Sequence, residues 1–437
     1  MNLVKPSKHF TEMTKNKMML GFNPRNFFAL SANTLTLTLI QITTIPLFLH
    51  YFTIESYAIW IITSSIAQFS GLLDFGMVAA SQNSFSFLKA RNTKYDISKT
   101  VIQIFNVQIS AVILFNIVLF LAERLDILRI DCPLLFVFTL SLLVQSYFGI
   151  LEATTQMNSK VHEGIHVSSL GRLLEYLGIV IGCIFLGQSL VLVASIGLIL
   201  KILFLIYMIP RFESRIRILK YGSWEMRLLI KSLREGIPYL VIKLTDFLAF
   251  SGVLLVLQSR LNPSDFVFFA SCRTFFRMGL QFTGLINHSY AYEMTRAWSL
   301  NNYNKMKNLM DVSGKVTILI SLIFAAFYLI FGEDIFSIWT HGSMQLNFPI
   351  LIVGTCYSTI CSINQSQKSN HNSINANSKV SQVLLAFSLF QFFSFTFLLE
   401  NPKIEELYFY LFLFEFLITI TIPFFARNDL KSKFISY

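Results

Sequence analysis

Twelve stretches of this chain of 437 residues come within a few residues of what a bilayer-spanning helix requires, about 20 consecutive, mostly apolar positions. They fall near 27 to 48, 56 to 80, 101 to 122, 133 to 152, 169 to 187, 189 to 210, 236 to 258, 264 to 287, 315 to 332, 348 to 364, 379 to 399 and 405 to 426. No other feature restricts the fold as strongly. In hydrocarbon every backbone N–H and C=O must find a partner within the protein, so segments of this length cross as helices. The composition agrees: 54% of residues are hydrophobic and 14% charged, whereas a soluble domain carries about 25% charged residues. The expected fold class is an all-α integral membrane protein of about twelve transmembrane helices.

Charge orients the spans, because Lys and Arg accumulate in the loops that stay in the cytoplasm. With the N-terminus inside, 27 of the 35 basic residues fall in or beside the inner segments. Arg124, Arg129, Arg260 and Lys403 alone fall outside, against ten acidic residues that include Glu333, Asp334, Glu405 and Glu406. This asymmetry predicts cytoplasmic N- and C-termini and accounts for the net charge of +11 without nucleic acid. Residues 1 to 26 are polar and basic, lack a leading apolar core, and read as a cytoplasmic tail rather than a cleavable signal. The five cysteines lie mostly in apolar runs without metal spacing and read as small packing residues. No nucleophile, base and orienter constellation suggests an enzyme, and no cofactor or metal is implied.

Residues 211 to 235 form the longest charged connection and fall halfway along the chain. They read as an amphipathic helix on the inner leaflet, linking a bundle over 27 to 210 to a second over 236 to 426, with 427 to 437 as a second tail. An offset of 209 residues lays F-T-I-E-S-Y-A-I-W (52 to 60) over L-N-P-S-D-F-V-F-F (261 to 269), a parallel internal repeat. The Asn-rich run 364 to 378 reads as a solvated cytoplasmic loop.

Eight ionisable residues fall within the spans: Asp74, Glu175, Lys201, Lys243, Asp246, Arg273, Arg277 and Glu415. Each charge at a helix centre costs roughly 2.5 to 3.5 kcal/mol, so these side chains face water, a partner or a ligand. Arg273, Arg277, Gln281, Gly284 and His288 follow one helix stripe. An internal salt bridge from Arg273 or Arg277 to Asp246 is one reading. Lys243, three residues before Asp246, offers that carboxylate a partner on its own helix, which leaves the arginines wanting an anion, and the planar guanidinium suits phosphate. The candidate substrate-binding set is thus Arg273, Arg277, Lys243 and Gln281. Asp74 can cap, pair or gate; Asp246 and Glu415 can couple transport to an ion or serve in packing. Glu175 has Arg172 three residues earlier, and Lys201 is placed to snorkel. Under the 209-residue offset Ser64 and Gln68 correspond to Arg273 and Arg277, so a shared cavity would be neutral on its first-half wall and cationic on its second.

The Thr-rich first helix ending I-P-L-F-L, the segment Y-A-I-W-I-I-T-S-S-I-A-Q-F-S-G-L-L-D-F-G-M-V-A-A-S-Q-N (57 to 83) and the second-half start G-I-P-Y-L resemble the bacterial polysaccharide flippases of the O-antigen type. These belong to the multidrug/oligosaccharidyl-lipid/polysaccharide transporter superfamily. The resemblance implies a MATE-like fold, two six-helix bundles around a central cavity open alternately to each side, in the bacterial inner membrane. It implies a polyprenyl-pyrophosphate-linked oligosaccharide as substrate, with a proton or sodium ion and other polysaccharide-assembly membrane proteins as further partners. A cation-coupled drug exporter of the same superfamily is one alternative, though an acidic cavity would suit it better. A membrane-embedded polymerase or glycosyltransferase is another, though it would carry a larger outer loop.

The charge asymmetry predicts that residues 211 to 236 are cytoplasmic and 332 to 347 periplasmic. Single cysteines placed on a background lacking the native five, and labelled in intact cells, check this; labelling at position 220 from the periplasm would overturn the topology.

Overall fold

The computed structural model describes residues 24–81, 97–125, 131–157, 161–187, 189–216, 226–300, 302–374, 378–397 and 402–435. Twelve helical segments cross the fold among them, in the number the apolar spans predict. In the first half these are α1 (Pro24–Tyr51), α2 (Ile54–Ala67), α3 (Ile97–Arg124), α4 (Cys132–Met157), α5 (Val161–Leu186) and α6 (Leu190–Ile216). The second half holds α7 (Met226–Phe247), α8 (Pro263–Ser299), α9 (Tyr303–Trp339), α10 (Phe348–Ser373), α11 (Ser378–Phe397) and α12 (Ile404–Ile435). Nine of the described helices are long and apolar enough to cross a membrane. The three that fall short are α2, α8 and α10, and each is interrupted or rich in polar residues.

The local reasons for these boundaries lie in the sequence. Thr53 caps α2 by accepting the Ser56 N–H, and Asn262 caps α8 by accepting the Asp265 N–H. The 209-residue offset superposes these two caps, so the repeat read from sequence has a structural counterpart. The polar stretch 164 to 176 is helical within α5. Gly178 of α5 and Gly197 of α6 meet backbone to backbone, a Cβ on Gly178 falling 2.6 Å from the Gly197 Cα. Small residues permit this close packing where lipid supplies no hydrophobic drive between helices. Outward faces are apolar, as with Ile113, Leu114, Ile117 and Val118 of α3 and Leu319, Leu322 and Ile323 of α9.

Helices α4, α5 and α6 pack on one another with α1 against α5, and α8, α9, α10 and α12 do so in the second half, with α7 against α11. The halves meet through α1 and α2 against α8, and through the end of α2 against α7. On the face away from the N-terminus one apolar core joins them, with Ile45, Phe48, Tyr57 and Trp60 from the first half and Phe266, Phe269, Phe336 and Trp339 from the second. Trp339 also donates its indole N–H to the Ile42 carbonyl of α1 at 2.5 Å.

Two expectations change. The Asn-rich run is not a loop up to Ser373: α10 continues to that residue and buries Asn364, Ser366, Asn370, His371 and Ser373. The polar side chains that suggested solvent instead face other helices and an internal cavity. The charged connection over 211 to 235 is helical at both ends, as α6 runs to Ile216 and α7 starts at Met226; residues 217–225 lie outside the described residues, as do 1–23 of the N-terminal tail.

Beyond the 3-10 turn Gln68–Leu72 that follows α2, the chain reverses through Phe75 (φ 49) and Gly76 (φ 73). Asp74 holds this turn by accepting the Gly76 N–H at 2.9 Å. Gly76 is required twice over. Its left-handed conformation costs an L side chain about 1–2 kcal/mol, and a Cβ would fall 2.3 Å from the Gly236 carbonyl oxygen of α7. Replacing Gly76 or Gly236 by Ala is therefore expected to lower the melting temperature of the purified protein, with the loss at Gly76 exceeding about 2 kcal/mol. Gly314→Ala, where nothing lies within 4 Å, is expected to leave melting unchanged or raise it.

Candidate functional site: a cavity between the two halves

A cavity of about 820 Å³ lies between the halves. Its first-half wall is Asn33, Thr34 and Leu37 of α1, Gln68, Gly71, Leu72 and Ala79 around the end of α2, and Leu142 of α4, none of them ionisable. The second-half wall carries Lys243, Asp246, Arg277, His288, Lys368 and Glu415. The lining positions cluster in the half of each helix nearer the N-terminal face, from Asn33 of α1 to Thr295 of α8 and Ser373 of α10. The apolar core joining the halves closes the other face. Arg277 lies about 20 Å along α8 from its outer end, near mid-membrane.

The first wall is neutral, as expected; the second, expected to be cationic, mixes Lys243, Arg277 and Lys368 with Asp246 and Glu415, and the repeat-related Gln68 and Arg277 both line the cavity. Ser64 and Arg273, one turn further out, do not. Along the α8 stripe, Arg277, Gln281, Gly284 and His288 face the cavity, while Arg273 is 3% exposed and turned into the helix packing.

What Arg273 does follows from a break in α7. Residues Leu248–Gly252 form a π-turn, after which the α-helix resumes over Val253–Leu257. A π-bulge displaces carbonyls from the regular i to i−4 ladder, and in lipid they have no water to meet. The Arg273 guanidinium donates to both the Ala249 and Phe250 carbonyls, with Nη2 2.5 Å from the Ala249 oxygen. Arg273 is thus a clasp between α8 and α7, and its charge is spent on backbone dipoles. Neither expected role holds: it does not line the cavity, and no ion pair joins it to Asp246. Sequence alone cannot locate a π-turn in L-A-F-S-G, so this role had no signal.

One turn on, Arg277 lies over the Phe250 ring, its guanidinium carbon 4.1 Å from the centroid. That contact orients the cation but offers no hydrogen-bond acceptor in the guanidinium plane. Among the described residues no hydrogen bond or ion pair reaches Arg277, and its planar donors face the cavity.

The remaining charges pair differently from the sequence expectation. Lys243 does not neutralise Asp246; it reaches across the halves to Asp74 at 2.6 Å. Asp74, in L-L-D-F-G, is therefore both turn cap and inter-half partner. Asp246 pairs with Lys368 of α10 at 3.1 Å. Lys368 escaped the sequence reading because it was placed in a loop; the signal was present, since 361, 364, 365, 368 and 372 keep one helix stripe and all line the cavity. Glu415 is 5% exposed and accepts the Asn364 side-chain amide. Gln281 bridges the halves, donating to Gln41 and accepting from Thr38 of α1 at 2.6 Å, so its hydrogen-bonding capacity is largely used. In the first half, Lys201 is 2% exposed and does not snorkel; it pairs with Glu175 at 2.6 Å and bonds Ser141, tying α4, α5 and α6 together. Among the described residues no group of three or more His, Cys, Asp or Glu side chains could hold a metal ion.

No protein-family model matches the sequence and no curated protein matches it. Solved structures match the fold. An outward-facing multidrug resistance MATE family transporter of the MOP superfamily superposes with a TM-score of 0.72 at 13% identity, over 95% of this chain and 96% of that one. A variant of the Vibrio cholerae MATE transporter VcmN gives 0.71 at 14%, over 97% and 98%. A MOP superfamily transporter from Pyrococcus furiosus, for which a binding pocket of reverse polarity suggesting a different function is described, gives 0.71 at 13%, over 95% and 96%. These likenesses show the fold, an all-α membrane architecture of twelve helices in two bundles.

The two arginines are expected to separate on substitution. Arg273→Ala orphans two buried carbonyls and is expected to cost about 2–6 kcal/mol, at about 1–3 kcal/mol for each lost acceptor partnership. Reduced membrane abundance and melting temperature read this loss, and Asp246→Asn should not restore either. Arg277→Ala is expected to melt within about 0.5 kcal/mol of the parent. Rescue of Arg273→Ala by Asp246→Asn would return Arg273 to the salt-bridge reading.

Proposed function

We propose that this chain, which has the fold of MATE/MOP superfamily transporters, flips a polyprenyl-pyrophosphate-linked oligosaccharide across the bacterial inner membrane, from the cytoplasmic to the periplasmic leaflet. The observation that carries this reading is Arg277, a cation near mid-membrane that lines the cavity with no hydrogen bond or ion pair among the described residues. A cation in hydrocarbon is retained only where something offsets its cost, and a pyrophosphate crossing the membrane needs a replacement for the water it sheds. The planar donors of Arg277 fit phosphate oxygens in a paired geometry.

Two further features support the reading. The cavity reaches the face that carries the N-terminus, which the charge asymmetry makes cytoplasmic, where such a substrate would be loaded. Beyond Arg277 the wall toward that face is amide- and hydroxyl-rich, with Asn33, Gln365, Ser369 and Asn372, side chains that suit uncharged sugar hydroxyls. Alternating access would then require the aromatic core on the far face to part as the near face closes. The O-antigen class of polysaccharide assembly is the pathway in which such a step belongs.

Export of a cationic drug is the second reading, and the multidrug resistance transporter among the matched structures favours it. Arg277 counts against it, since an unpaired cation repels such a ligand. The Pyrococcus furiosus transporter with reverse pocket polarity is a precedent for this fold hosting a different function.

Complementation of a flippase-null strain decides between them. Arg277→Ala is expected to abolish surface glycan while membrane protein level stays normal, and Arg277→Lys to rescue in part, because an ammonium keeps the charge but loses the paired donors. Normal glycan from the Ala variant sinks the proposal. Efflux of a cationic dye that the Ala variant increases would favour the drug-export reading.

A further inference from the structure

Asp246 faces both cations of the mid-cavity. Its carboxylate pairs with the Lys368 ammonium at 3.1 Å and lies within electrostatic reach of Arg277 on α8. Its side chain is 46% exposed, against 15% for Lys368, so the carboxylate stands in the cavity water while the lysine is held from behind. The other charged groups around it are engaged or neutralised. Lys243, on the same helix, is taken by Asp74 of the turn beyond α2; Arg273 is bound to the π-turn carbonyls; Glu415 of α12 also acts electrostatically on Lys368 but is buried against Asn364. Tyr239 of α7, His288 of α8 and Cys361 of α10 complete the titratable groups lining this side of the cavity, with Tyr357 of α10 buried beside Arg277, and the first-half wall contributes none.

An anion approaching Arg277 and Lys368 meets the negative charge of Asp246, which is paired with Lys368. A further negative charge brought beside a carboxylate favours its protonated form. We propose that an anionic ligand engages Arg277 and takes over Lys368 from Asp246, and that Asp246 takes up one proton from cavity water as it does so. The proton adds to the carboxylate oxygen that Lys368 leaves, no other bond forms or breaks, and the lysine remains an ammonium. This inference rests on the anion-cavity reading above and adds to it the group that links binding to protons. Glu415, buried and held by an amide, is not that group. Linkage is reciprocal: if the ligand favours protonated Asp246, protonated Asp246 favours the ligand. The sign follows directly. Raising the pH above the carboxylate's own range in the empty cavity weakens anion binding, by up to about tenfold per pH unit for one proton.

Calorimetry on the full chain in lipid nanodiscs tests this, with methanedisulfonate as the probe, a doubly charged anion with no ionisable proton in the working range. Titrations in two buffers of different ionisation enthalpy count the protons taken up. The wild-type protein is expected to take up close to one proton per anion bound and to bind more weakly as the pH rises. Asp246→Asn is expected to bind at least as tightly, with no proton uptake and no pH dependence, and Glu415→Gln to keep the wild-type uptake. Should Asp246→Asn not fold with Lys368 left unpaired, the double change Asp246→Asn with Lys368→Gln serves, binding more weakly and without uptake. Wild-type binding without proton uptake, or uptake that survives the loss of Asp246, overturns the linkage and leaves the anion cavity standing. Failure of the wild-type protein to bind the probe any better than Arg277→Ala sinks the anion cavity and the linkage with it.

Discussion

In hydrocarbon a carbonyl that leaves the helical ladder has no water to turn to, and that constraint places Arg273. The π-turn of α7 displaces the carbonyls of Ala249 and Phe250, and the guanidinium of α8 satisfies them. The same bulge sets the Phe250 ring where two guanidinium groups flank it, at 4.9 Å from Arg273 and 4.1 Å from Arg277. Because residues four apart share a helix face, fixing Arg273 against α7 fixes Arg277 one turn deeper at the cavity wall. A structural debt in one helix thereby positions a cavity-facing cation on another.

Charge in the cavity is arranged across helices rather than along them. Lys243 and Asp246 sit three apart on α7, a spacing that suits a pair, yet each finds its partner elsewhere, on the α2 turn and on α10. The first of these ion pairs spans the two halves on the N-terminal side. Around it Gly76 and Gly236 bring the turn and α7 into backbone contact, so the L-L-D-F-G segment joins the halves as well as turning the chain. Opposing this, the aromatic core around Phe48, Trp60, Phe266 and Trp339 seals the far face mainly by shape and apolar burial, with the Trp339 indole bonded to the Ile42 carbonyl across it. The junction is thus polar and salt-bridged on one side and dry and aromatic on the other. The polar side can exchange its contacts for water at low cost, whereas opening the aromatic side exposes apolar surface unless lipid or substrate covers it.

The buried polar helix α10 deserves its place in this scheme for a physical reason. A run with Asn364, Gln365, Lys368 and Asn372 could not cross lipid alone, and by hydropathy it resembles a loop. Enclosed by α8, α9 and α12, the same residues meet Glu415, Asp246 and cavity water instead of acyl chains. α2 misses the spanning criterion by its length, its side of the cavity being lined by the 3-10 turn beyond it, whereas the polar helices α8 and α10 both line the cavity. Their polarity is the signature of that position.

The sequence by itself determined the helical class, the count of spans, the offset that superposes Thr53 on Asn262, and the stripe from Arg277 to His288 that faces the cavity. Each depends on periodicity or on the length of apolar runs, which are local properties of the chain. Only the tertiary structure decided that Arg273 serves a π-turn, that Lys243 belongs to Asp74, and that Lys368 is inside the cavity at all. Those outcomes depend on which acceptor from a distant helix lies within about 3 Å of a side chain. In a low-dielectric interior the nearest such partner takes the charge, whatever pairing the spacing along one helix would favour.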